Sequence, residues 1–99
     1  MIKHIILWKF KDLTDEQKPQ QYQLIKNGLE GLKGVVPGLL DIRVQVEKLP
    51  TSNVDLMLDC IFKNEEALKG YAKHPAHNDV ANTYIRPYIE TRMCIDYEI

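Results

Sequence analysis

Along the first ten residues the side chains alternate: Ile2, His4, Ile6, Trp8 and Phe10 share one face, and Lys3, Ile5, Leu7 and Lys9 the other. A period of two marks a strand, because successive side chains point to opposite sides of the pleat. The same alternation returns from Leu39 to about Glu47, where Leu40, Ile42, Val44 and Val46 oppose Asp41, Arg43, Gln45 and Glu47. It returns again from Asp55 to Phe62, with Leu56, Leu58, Cys60 and Phe62 on one side, and over about Glu90 to Glu98, where Thr91, Met93, Ile95 and Tyr97 alternate with Arg92, Cys94 and Asp96. Between the first two strands the period lengthens. Tyr22, Ile25, Leu29, Leu32 and Val36 recur at steps of three and four, the apolar stripe of a helix. Thr14-Asp15-Glu16-Gln17 matches a capping box at its start, while Pro19, tolerated only in a first turn, moves the N-cap to Asp15 or Glu16 or kinks the helix there. Gly34 and Pro37-Gly38 end it.

Asn64 is a favourable N-cap for a short helix over Glu65 to Lys73, with two acidic residues in its first turn where the helix dipole favours them. His74 precedes Pro75 and is pushed out of helical dihedrals, so a second helix starts with Pro75 and runs to about Ile85, stopped by Pro87. The order β–α–β–β–α–(α)–β predicts an α+β fold: a ferredoxin-like, four-stranded antiparallel sheet with helices on one face. The even positions of the first three strands and the odd positions of the fourth are expected to meet the helices. The opposite face mixes Ile5, Leu7, Leu39, Met57 and Ile61 with Asp41, Arg43, Gln45 and Asp59, a semi-apolar surface suited to a second copy of the chain related by a two-fold axis.

At 99 residues the chain is read as a single domain, 1–99, large enough for a core without staples. Cys60 and Cys94 fall inside strand patterns without metal-type spacing and read as buried, reduced thiols, which fits a cytoplasmic protein. A net charge of −1 gives no global attraction to nucleic acid or anionic membrane. The apolar run Ile5-Ile6-Leu7-Trp8 is far too short to span a bilayer.

The chemistry concentrates in Tyr71-Ala72-Lys73-His74-Pro75-Ala76-His77, which places a phenol and two imidazoles within two helical turns. Imidazole titrates near neutrality and a phenol donates to a carbonyl oxygen, so the pair forms an acid–base kit. Each residue also has a structural reading: His4 as a hydrogen-bonded core residue, His74 as a helix cap, Tyr71 as packing. His74, His77 and Asp79 fall short of a metal set, because Pro75 breaks the helix between the histidines and no HExxH is present. No metal is expected there, and Asp55, Asp96 and Glu98 make a still weaker cation set.

Ile2-Lys3-His4-Ile5-Ile6-Leu7-Trp8-Lys9-Phe10-Lys11, the Asp55 that opens the third strand, Phe62 to Leu68 running into Tyr71-x-x-His74-Pro75-x-His77, and the closing Ile95-Asp96-Tyr97 resemble the stress-responsive α/β-barrel (Dabb) domain over essentially the whole chain. The resemblance implies a protomer that stacks its sheet on a partner's, a homodimeric α+β barrel. Plant members act as polyketide cyclases, and by motif match the roles in their intramolecular aldol closure fall on Tyr71 and His77, with His4 near the same cavity. That chemistry needs no cofactor. Trp8, Tyr22, Ile25, Leu58 and His74 are the expected lining for a small apolar carbonyl ligand, with a mouth between the first helix and the Pro75 helix. Pro19 and Leu56 depart from the cyclase pattern. The alternative is a non-catalytic structural or stress-response dimer with its cavity collapsed.

Overall fold

A computed structural model describes residues 1–99 and runs β1 (Ile2–Phe10), α1 (Lys18–Glu30), β2 (Leu39–Gln45), β3 (Leu56–Phe62), α2 (Glu65–Lys73), α3 (Pro75–Val80) and β4 (Ile89–Glu98). A π-helical turn over Ala81–Ile85 and a 3-10 turn over Arg86–Tyr88 join α3 to β4. The strands form one antiparallel sheet in the order β2-β3-β1-β4 with the helices on one face, the ferredoxin-like arrangement. Its core is the even side of β1 and β3 closed by α1 and α2: Ile6, Leu58, Cys60 and Phe62 meet Ile25, Leu29 and Tyr71, all nearly inaccessible to water.

Local signals place most element ends. Thr14 N donates to Gln17 Oε1 at 3.0 Å and Gln17 N to Thr14 Oγ1 at 3.2 Å, a reciprocal capping box. It closes the turn ahead of α1 rather than α1 itself, whose N-cap is Gln17, not Asp15 or Glu16; Pro19 then sits in the first helical turn, where its missing N–H costs nothing. Asn64 Oδ1 accepts from Ala67 N at 2.9 Å and starts α2 as expected. Gly38 turns the chain into β2 with φ of 79°, and a Cβ there would lie 2.5 Å from Ala67 Cβ, so only glycine lets β2 begin against α2.

Four expectations are corrected. In β2 the register shifts between Leu39 and Asp41, a bulge that puts Leu39 in the core and leaves Leu40 exposed, the reverse of strict alternation. In β4 the pairings His4↔Asp96, Ile6↔Cys94 and Trp8↔Arg92 put the even positions on the helix side. Directly opposed residues of an antiparallel pair project to the same face, so Thr91, Met93, Ile95 and Tyr97 belong to the open face instead. No helix covers the edge strand β4, and its helix-side residues Arg92, Cys94 and Asp96 are exposed; Cys94 is not a buried thiol. Finally, the Pro75 helix is α-helical only to Val80. The π turn takes over to Ile85, tied to α1 by Gln21 Nε2, which donates to the Tyr84 carbonyl at 2.6 Å, and Pro87 lies inside the 3-10 turn rather than ending a helix.

Candidate functional site

The helix break at His74-Pro75 sets the site. Tyr71 in the last turn of α2 and His77 in the first turn of α3 lie on either side of it, and their ring centroids come within 4.2 Å. His4 reaches up from β1 to 6.0 Å from Tyr71, and Phe62 packs edge-on against both rings. His74 itself caps α3: its Nδ1 accepts from Ala76 N at 3.1 Å. That is a structural role, and His74 does not reach the ligand space assigned to it.

Tyr71, His77 and His4 share a cavity of about 220 Å³ with Ile6, Trp8, Leu29, Leu58, Ala81, Ile85, Ile89, Arg86 and Arg92. A dry cavity of about 150 Å³ already admits benzene, so the space suits a small organic molecule. The exposed members of the lining, Arg86 and Arg92, mark its mouth on the side of β4 and the π turn. The expected mouth between α1 and α3 is closed by helix packing, since a Cβ on Gly28 would sit 2.9 Å from Val80 Cγ1.

Electrostatics divide the polar groups. The Tyr71 hydroxyl and His77 Nδ1 are buried and have no hydrogen-bond partner. Burial, reinforced by Cys60, pushes the Tyr71 phenol far above its ordinary pKa and keeps it a neutral donor. Burial, then Arg86 and His4, push His77 down to about 4, with Arg92 adding and the Ala72 backbone opposing, so its imidazole is neutral at physiological pH. His4 is oriented differently: its Nδ1 contacts Asp96 Oδ1, and Cys94 Sγ lies 3.9 Å from the same nitrogen and 3.6 Å from Asp96 Oδ2. A carboxylate on one imidazole nitrogen fixes the ring and directs the other nitrogen's lone pair away from it. The ligand atoms of His4, Cys94 and Asp96 lie within 4.8 Å of one another, so the groups that could together reach a cation are these, rather than His74, His77 and Asp79.

The Dabb family, described as Stress responsive A/B Barrel Domain, matches residues 2–99. The chain belongs to this family. Olivetolic acid cyclase from Cannabis sativa is 27% identical over 100 residues, covering 97% of this chain and 94% of that protein. A dimeric protein of unknown function and ferredoxin-like fold from Bacteroides fragilis superposes with a TM-score of 0.92 at 29% identity, over 99% of this chain and 95% of its own. A dimeric ferredoxin-like protein of unknown function from Thermobifida fusca has a TM-score of 0.83 at 22% identity, over 99% and 90%, a likeness of fold.

Within this Dabb chain the expected residues separate. His4, Tyr71, His77, Trp8 and Leu58 converge on the cavity. Ile25 is fully buried in the core and does not line it. Tyr22 lies elsewhere: it stacks on Phe10 at 5.5 Å, and its hydroxyl is 3.4 Å from Asp55 Oδ1. That buried carboxylate accepts from Phe10 N at 2.7 Å and has Lys18 Nζ at 3.4 Å at one end of β1, whereas Asp96 and Glu98 pair with His4 and Ile2 at the other, so the three form no joint cation set. The pattern did not reveal Ile85, Arg86, Ile89 and Arg92, because they lie within or beyond the π turn, where helical spacing fails. Arg92 was further hidden because the strand pattern put its side of β4 on the open face; only the pairing opposite the inward Trp8 brings it to the cavity.

Proposed function

We propose that this Dabb protein is a homodimer that binds a small carbonyl compound between sheet and helices and transforms it by cofactor-independent proton transfer, in the manner of a polyketide cyclase. One observation carries the reading: Tyr71 and His77, whose rings meet at 4.2 Å between centroids, both line a largely apolar cavity, and each holds a buried polar atom, Oη and Nδ1, without a hydrogen-bond partner. A buried polar group left unpaired costs about 1–3 kcal/mol, an expense a purely structural site would relieve. A bound carbonyl compound relieves it.

In the proposed step the neutral His77 takes a proton from a methylene flanked by two carbonyls, and the Tyr71 hydroxyl donates a hydrogen bond to the oxygen on which enolate charge develops. The carbanion attacks a second carbonyl of the same molecule, a carbon–carbon bond forms, and the new alkoxide takes the proton back from the His77 imidazolium. No redox partner is needed. A base held down to about pKa 4 is weak, which restricts the substrate to an activated methylene. His4, held by Asp96, stands at the far side of Tyr71 and helps orient the carbonyl. The similarity to olivetolic acid cyclase supports a reaction of this class without naming the substrate.

Dimerisation rests on the open face, where Met93, Ile95 and Tyr97 are about half exposed beside Ile5, Leu7, Met57 and Ile61. Both related structures named above are dimeric. Sedimentation of the wild type is expected to give twice the 11.5 kDa protomer, and Ile95→Glu a monomer. The site is tested by a thermal-shift screen of 1,3-dicarbonyl compounds: hits with the wild type that vanish in His77→Ala support the reading, and an absence of hits refutes it. No helix is long and apolar enough to cross a membrane, and a cytoplasmic location belongs to this proposal. A second reading, a non-catalytic stress-response dimer, draws on the depth of Tyr71, 2% exposed and packed on Phe62; it predicts that His77→Ala lowers stability and removes no binding.

A further inference from the structure

Two guanidinium groups open onto the cavity, and neither has a carboxylate. The ion pairs of the molecule join Lys3, His4, Lys18, Lys26, Lys33, Arg43 and Lys48 to acidic groups, and Arg86 and Arg92 are absent from them. Arg86 is held instead by the side-chain carbonyls of Asn82 and Asn78, the latter at 3.4 Å. Neutral amides orient a guanidinium while leaving its charge uncancelled. Arg92 projects from the uncovered helix side of β4 opposite Trp8, whose ring lines the same space. The next carboxylate on that side of the strand, Asp96, is engaged by His4 and Cys94.

Resting on the function proposed above, we infer that the cavity seats an organic anion, its charged oxygens held by Arg86 and Arg92 at the mouth and its carbonyl end against Tyr71 and His77. The geometry sorts the ligand from end to end. The apolar walls Ile6, Leu29, Leu58 and Ile85 take a hydrocarbon or ring, the inner end offers a donor and a base, and the outer end offers two planar cations suited to a carboxylate or phosphoryl group. The arrangement also couples recognition to chemistry. The groups that face His77 are Tyr71, His4, Arg86 and Arg92, with Cys94 and Asp96 behind His4; an anion that neutralises the two arginines removes part of the field that keeps the imidazole from accepting a proton. The base strengthens when the ligand is in place.

Calorimetry of the intact protein at low salt with benzoate and its neutral isostere benzamide tests the inference. Benzoate is expected to bind at least tenfold tighter than benzamide, and Arg92→Met to weaken benzoate roughly tenfold or more while leaving benzamide unchanged. Arg86→Met is expected to do the same, and Arg92→Met, altering an exposed edge-strand residue, keeps the test valid where Arg86→Met disturbs the turn. Saturating benzoate is expected to raise the His77 pKa read from its ring proton by NMR. Inorganic phosphate displacing benzoate would identify the seated charge as phosphoryl, and phosphate failing to displace it as carboxylate; either result supports the arginine pair. Equal affinities for benzoate and benzamide, or a ratio unmoved by both variants, overturn the anion seat while benzamide binding lost in His77→Ala leaves the proposed function standing. Binding of neither compound overturns the anion seat, and the 1,3-dicarbonyl screen decides the proposed function separately.

Discussion

Two polar clusters lie on the helix side of the sheet, one against α1 and the other at the α2–α3 break, and they are built on opposite principles. Around Asp55 every strong group is answered: the carboxylate takes the Phe10 N–H at 2.7 Å, Lys18 stands at 3.4 Å, and Lys48 bonds the Tyr22 hydroxyl at 2.8 Å. Around Tyr71 and His77 two buried polar atoms go unanswered beside a cavity. The first cluster is a rivet joining the end of β1 to the start of β3. The second spends stability, the pattern expected where a protein keeps groups free for a ligand. Both contain a tyrosine and a titratable partner, so residue type alone does not tell them apart; satisfaction of hydrogen bonds does.

The contrast breaks most sharply at His77. His77→Ala is expected to cut turnover by about 10²- to 10⁴-fold, the usual worth of a general base, with the unfolding free energy changed by less than about 1 kcal/mol. Steady-state rates beside denaturant titration check this, and a large loss of stability would move His77 into the riveting class. Tyr71→Phe is expected to lower turnover about 10²- to 10³-fold and to leave stability unchanged or raised by about 1 kcal/mol, because it deletes an unpaired buried hydroxyl. Asp55→Ala should do the reverse: a loss of about 2–3 kcal/mol, on the order of 10 °C in melting temperature, with ligand affinity intact.

Smaller effects sharpen the same boundary. Gly38→Ala forces a Cβ to 2.5 Å from Ala67 at a positive φ and is expected to cost about 1–3 kcal/mol in chemical denaturation without touching the cavity. His77 also leaves a pH signature. Its folded pKa of about 4 lies below the ordinary 6.5, so below pH 6.5 the unfolded chain binds the proton more readily than the native state. Stability is therefore fully present above about pH 6.5 and declines as pH falls toward 4. In His77→Ala that portion of the acid transition should be missing, which melting curves across this range will show.

The strand pattern made the sheet legible wherever both neighbours of a strand were apolar, as in β1 and β3. It misled at the edges. The Leu39–Leu40 bulge inserts one residue into β2 and reverses the apparent face of what precedes it. In β4 the more apolar side, Met93, Ile95 and Tyr97, is turned to the open face of the sheet, because the helix side of this edge strand has no helix above it and so no core to fill. Tyr22 shared the helical stripe with Ile25 and Leu29, yet its ring stacks on Phe10 and its hydroxyl lies beside Asp55, away from the cavity lining.

Alone, the sequence determined the order of elements, the helix break at His74-Pro75 and the proximity of Tyr71 to His77, since these follow from periodicity and from local backbone chemistry spanning a few residues. Only the tertiary structure decided that His4 joins them, that Arg86 and Arg92 guard the mouth, and that Asp55 is satisfied while Tyr71 is not. Those outcomes depend on strand register, on a π turn and on the absence of a helix over β4, each fixed by packing between segments far apart along the chain.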